Sequence, residues 1–123
     1  MRRFLFYKGD INLLKDIKIS IVGSRIPSDY GKMVTNNICD MLYQNFTLVS
    51  GMAKGIDAVV HQNVVHRGNT IGVLGCGIDY IYPLQNAELF NEMTKYQLLI
   101  SEYPGQVKPY KNHFPMRNRI IAA

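Results

Sequence analysis

Asp57 and His61 lie four residues apart, and Ser50 stands seven residues ahead of Asp57. These are the residue types of a serine–histidine–aspartate hydrolase. That chemistry needs the carboxylate behind the imidazole and the hydroxyl in front of it. Two members on one helical turn do not meet the need. The pair reads instead as a buried Asp57–His61 contact that fixes a turn. His61 has no second ligand at metal spacing, and Cys76 has no histidine placed to activate it. No metal site, cofactor or catalytic residue is expected. The stretch Ser50-Gly51-Met52-Ala53-Lys54-Gly55-Ile56-Asp57 offers a different chemistry. A small hydroxyl and two glycines allow a sharp turn with uncovered N–H groups. At the head of a helix such a turn is a candidate phosphate cradle. Lys54 either joins that anion or is simply exposed to solvent.

Further residues point the same way. Arg25 follows Gly23-Ser24 at the end of an apolar run. Its planar fork suits a pair of phosphate oxygens, and its position favours that role over a surface pair with Asp29. The hydroxyls of Ser50 and Ser101 can donate to a phosphate or cap the segment that follows them. Asp79 and Asn86 read as ties for loop backbone. The run from Lys111 to Arg119 holds Lys111, Arg117 and Arg119 around Phe114. Cations with a flat ring suit single-stranded nucleic acid. Equally, Phe114 before Pro115 can be a hydrophobic staple at a helix start. Both readings stay open at this point.

These residues need a frame. Ile17 to Val22 reads as a strand, and Tyr30 to Asn45 as an amphipathic helix with Val34, Ile38, Met41 and Leu42 inward, capped by Ser28 or Asp29. Phe46 to Val49 is a strand, and Ala58 to Arg67 a helix that ends at Gly68-Asn69. Thr70 to Leu74 and Gln97 to Ile100 are strands on either side of a helix over Asn86 to Lys95. Phe4 to Tyr7 is a short edge strand, and Arg117 to Ala123 begins another helix. Near-continuous apolar strands alternating with helices predict an α/β fold, with a parallel sheet covered by helices on both faces. The loops after the strands would meet along one edge of that sheet. The ligand crevice is expected there, where strand order reverses.

At 123 residues the chain is expected to be one domain over residues 1–123, and the 47% hydrophobic fraction suits a packed core. No apolar run approaches the roughly 20 residues of a membrane span. The apolar stretch after Arg2-Arg3 is too short for a secretory signal. Two cysteines without zinc-like spacing suit a reducing cytosol. A net charge of +5 favours a polyanionic partner.

Taken together the motifs resemble one family. Gly23-Ser24-Arg25, the Ser50 to Asp57 turn with His61, Gly75-Cys76-Gly77-Ile78-Asp79 with Tyr82-Pro83 and Asn86, Ser101-Glu102-Tyr103-Pro104, and Phe114 to Ala122 are similar, in order, to the bacterial DNA-processing protein A (DprA, or Smf) family. The resemblance implies an extended Rossmann-like domain that binds single-stranded DNA in a basic pocket. It implies a helper role in natural transformation, protecting incoming strands and loading the RecA recombinase, without catalysis. Carried over, the pocket arginine falls on Arg25, with Gly23 and Ser24 beside it. Lys111 and Phe114 resemble the phosphate-binding lysine and base-contacting aromatic, flanked by Arg117 and Arg119. Ser50, Gly51, Lys54, Gly55 and Ser101 would line the same pocket. Family members run longer at both ends, so the Rossmann-like sheet is expected to be incomplete at its C-terminus. The family's dimerisation and RecA contact depend largely on the later part. A second reading is a nucleotide phosphoribohydrolase on the same fold. Its Pro-Gly-Gly-x-Gly-Thr loop has no counterpart here, and Glu102 is the only weak substitute for its glutamate.

Overall fold

Apolar runs set the sheet. The computed structural model describes residues 4–109 and 121. Strands β1 (Phe6–Gly9), β2 (Lys18–Ser20), β3 (Thr47–Gly51), β4 (Thr70–Gly77) and β5 (Leu98–Tyr103) form one sheet in the order β1-β5-β4-β3-β2. The β2/β3, β3/β4 and β4/β5 pairs are parallel, and β1 closes the far edge antiparallel to β5. Every residue of β3 and β4 is buried, as strands covered on both faces require.

Helices α1 (Asp29–Leu42), α2 (Ile56–Val64) and α3 (Ala87–Tyr96) are the crossovers between consecutive parallel strands. Right-handed crossovers that always step the same way place all three on one face. There Leu48, Leu74 and Leu99 pack beneath Val60, Val64, Leu89 and Met93. On the opposite face Val49, Ile71, Val73, Leu98 and Ile100 are covered by Leu13 and Leu14 of the 3-10 turn Ile11–Lys15, and by Ile121, a helical residue. Helical structure thus covers both faces, unevenly. One expectation changes: the parallel strands follow sequence order, so the described strands contain no point of reversal. The crevice at the sheet edge is opened by the loops instead.

Helix α1 is rotated from the expected orientation. Ser28 caps it, its hydroxyl accepting the Gly31 amide at 3.0 Å. The residues it buries are Thr35 and Cys39. Val34 and Leu42 are half-buried, while Ile38 and Met41 are exposed. Small side chains at i and i+4 let the helix lie close to its neighbours, and the bulky stripe turns to solvent. The Thr35 hydroxyl is satisfied by the Gly31 carbonyl at 2.8 Å.

Candidate nucleic-acid interface

The loops after β2 and β3 are stitched together. The Ile56 amide donates to the Ser24 carbonyl at 3.0 Å. Gly55 makes the crossing possible. Its φ is +88°, and a Cβ there would lie 2.3 Å from the Ser24 oxygen and 2.7 Å from Arg25 Cα. Only glycine accepts both that dihedral and that approach. The Ser24 hydroxyl folds back onto the Ile26 amide at 3.0 Å, and Gly23 packs against the Ile56 side chain. Arg25 is therefore held beside Lys54 by backbone geometry.

The turn after β3 is braced from inside. Ser50 is fully buried, and its hydroxyl donates to Asp57 Oδ1 at 2.8 Å. Asp57 Oδ2 accepts the Ala53 amide at 3.2 Å. The carboxylate sits in the first turn of α2, where the helix dipole favours it. His61 is fully buried, with Nε2 2.8 Å from the Gly51 carbonyl and Nδ1 2.7 Å from Thr70 Oγ1. Burial pushes its pKa below the ordinary 6.5, against weaker opposing effects from Gly51 and Asp57. The ring is neutral at pH 7, and because a carbonyl only accepts, the proton is on Nε2. The Thr70 hydroxyl then donates to Nδ1, in competition with the Leu48 carbonyl 3.0 Å away. From the other side Asn86 Nδ2 donates to the Met52 and Ala53 carbonyls at 3.2 and 3.3 Å.

The loop after β4 supplies the remaining wall. The Gly77 amide donates to the Val107 carbonyl at 2.7 Å, and the Asp79 amide to Gly105 at 2.8 Å. Lys8 of β1 pairs with the Asp79 carboxylate at 2.6 Å. Two hollows result. One, of 480 Å3, is lined by Met52, Leu74, Cys76, Tyr80, Ile81, Tyr82 and Leu84, among others. Its neighbour, of 550 Å3, is lined by Ile26, Lys32, Gly55, Val59 and Gln62, among others. Arg25, Lys54 and Gln85 line both, so the hollows adjoin there. No acidic side chain is among the described residues that line either one.

The structure brings Arg25, Lys54 and Gly55 together. It turns other expected ligands inward. Ser50 and Ser101 have no exposed surface. The Ser101 hydroxyl donates to the Cys76 carbonyl at 2.5 Å and accepts the Tyr103 amide. Both serines brace the rim, because a buried hydroxyl needs an internal partner. Gly51 is buried within β3, and Gly23 and Ser24 shape the backbone below Arg25. Asp57 and His61 fix the turn as expected, but each bonds to the turn and strands, and not to the other. Glu102 lines neither hollow. Lys111, Phe114, Arg117 and Arg119 lie outside the described residues. Lys32 and the Tyr80 to Gln85 wall were not anticipated as lining. A run of aromatic and aliphatic residues in the connection between β4 and α3 was the available signal.

Residues 2–123 match the family described as DNA recombination-mediator protein A. The chain is 47% identical over 121 residues to DNA processing protein DprA of Bacillus subtilis, covering 96% of this chain and 41% of that protein. It is 48% identical over 106 residues to protein Smf of Synechocystis, covering 85% of this chain and 27% of that one. The X-ray structure of DprA from Streptococcus pneumoniae superposes with a TM-score of 0.93 at 43% identity, over 96% of this chain and 42% of that one. A Helicobacter pylori DprA structure, described as giving insight into a unique single-stranded DNA binding mode, superposes with a TM-score of 0.89 at 34% identity, over 95% of this chain and 54% of that one. The chain thus spans less than half the length of the curated relatives described. With the match running from residue 2 to residue 123, the chain belongs to the DNA recombination-mediator protein A family.

Proposed function

We propose that this chain binds single-stranded DNA along the loop edge of its sheet, with little regard to sequence. One observation carries the reading: Arg25 and Lys54, delivered by different loops, meet at the shared rim of two hollows with no acidic lining residue. With Lys32, three cations line the polar hollow. Phosphate contacts of this kind release counterions on binding. The H. pylori relative's described binding mode supports the same ligand. Lys111, Phe114, Arg117 and Arg119 extend the interface in this reading, adding cations and a stacking ring. The biological setting we infer is the cytoplasmic handling of incoming strands during natural transformation, with RecA recombinase and a second copy of the chain as protein partners.

Fluorescence anisotropy with labelled oligonucleotides tests the reading. Three neutralised phosphates give a slope of log affinity against log salt of roughly −2. Arg25→Ala weakens binding to all sequences alike and flattens that slope by about 0.7. Binding that ignores salt, or a silent Arg25→Ala, would sink the proposal.

A further inference from the structure

Strand β1 ends the sheet on one side, and among the described residues nothing pairs with its outer edge. The direction of its backbone groups follows from one bond: the Asp10 amide donates to the Gln97 carbonyl at 2.9 Å. Inward and outward groups alternate along an antiparallel ladder. Phe6 and Lys8 therefore bond to β5, while Tyr7 and Gly9 turn their N–H and C=O groups to the open edge. The devices that usually blunt such an edge are missing. The strand has no proline, and its one charge, Lys8, is committed to Asp79 at 2.6 Å. Its surface is apolar instead, with Phe4 71%, Leu5 48% and Tyr7 51% exposed. The opposite edge is guarded: β2 exposes Lys18, and its Ser20 hydroxyl is occupied by the Ile121 carbonyl.

We propose that β1 pairs with β1 of a second copy of this chain, antiparallel about a two-fold axis at Tyr7, so that the two sheets run on as one. The register is self-complementary. Tyr7 faces its own equivalent in a hydrogen-bonded pair, with both rings on the face opposite Phe6, and cross-strand aromatic pairs of this kind are favourable. Leu5 faces the partner's Gly9, a large side chain against none. Phe6 faces the partner's Lys8, so no like charges meet. A two-fold contact of this kind closes at two copies, whereas β1 against β2 would add copies without end. The surface is separate from the contact that the family resemblance assigns to the later part of longer members, and it does not depend on DNA binding. A short edge buries less than the roughly 1,200–2,000 Å2 of a standard interface, so the dimer is weak, with Kd on the order of micromolar or above.

Sedimentation equilibrium on the 123-residue chain without DNA, from roughly 1 to 500 μM, tests the proposal. The wild-type chain is expected to pass from monomer to dimer and to stop there. Tyr7→Lys and Tyr7→Glu each place like charges across the axis and are expected to keep the chain monomeric, with an unchanged far-UV spectrum. Mixed in equal amounts, the two variants are expected to recover the dimer. A second measurement needs no variant: exchange of the outward Tyr7 amide in the wild type should slow as concentration rises. A chain that stays monomeric, association that continues past two copies, or a dimer indifferent to both substitutions overturns the proposal. So does a mixture that fails to pair, or Tyr7 exchange that ignores concentration.

Discussion

The Ser50 hydroxyl donates to the Asp57 carboxylate at 2.8 Å, and neither residue offers more than 5% of its surface to solvent. This contact, with the Ala53 amide on the second carboxylate oxygen, sets the turn that presents Lys54. Asp57→Ala would leave the Ser50 hydroxyl and the Ala53 amide without their acceptor. We expect a loss of about 1–3 kcal/mol, read as a lower urea midpoint. Unchanged stability would show that the brace is dispensable.

Histidine 61 predicts a pH dependence with a definite sign. Its folded pKa is lowered by burial, so the unfolded chain binds the proton more readily. Its contribution to stability is complete above the ordinary value of 6.5 and declines as pH falls below it. Urea midpoints measured from pH 8 down to acid should drop below that value. His61→Gln should lower stability throughout but flatten the drop.

Two glycines with positive φ make contrasting predictions. At Gly55 an added methyl meets the Ser24 and Arg25 backbone. Gly55→Ala should cost more than about 2 kcal/mol and weaken oligonucleotide binding, because Arg25 is pushed away from Lys54. At Gly105 an added methyl meets nothing within 4 Å, although φ is +52°. Gly105→Ala should cost no more than about 1–2 kcal/mol and leave binding intact. Thermal melts and anisotropy on both variants separate the two outcomes.

The free thiols should be inert in the native protein. Cys39 is fully buried, and burial, with Asp40 beside it, pushes its pKa up to about 11 against the opposing charge of Arg67. Cys76 is also buried. A disulfide reagent at pH 8 should label neither until urea unfolds the chain. Rapid labelling of the folded protein would contradict this packing.

Much of the architecture was legible because burial leaves a plain signature. Leu48-Val49 and Ile71 to Leu74 read as buried strands because parallel strands covered on both sides tolerate few polar residues. The rotation of α1 was not legible, since Met41 and Cys39 are both acceptable core residues and only the neighbouring surface decides between them. Residue type and strand-end position were enough to expect Arg25, Lys54 and Gly55 at one edge, and they line one hollow. For Ser50 the spacing left donation to a phosphate and bracing of the next segment open, since it does not say which way the hydroxyl points; in the fold it points to Asp57. Leu84 and Lys32 were not anticipated as lining because Leu84 lies in the short connection between β4 and α3 and Lys32 in the first turns of α1, and periodicity reports which face of an element is buried, not which cleft it borders.

The Lys8–Asp79 pair gives the first strand an electrostatic duty as well as a structural one. Asp79 directly precedes Tyr80 of the cleft wall, and Lys8 is its counter-charge. Deleting β1 would strip a sheet edge and also leave an unmatched carboxylate next to the cleft proposed to bind a polyanion. On the proposed reading, a chain trimmed there would retain Arg25 and Lys54 and still repel the strand assigned to them.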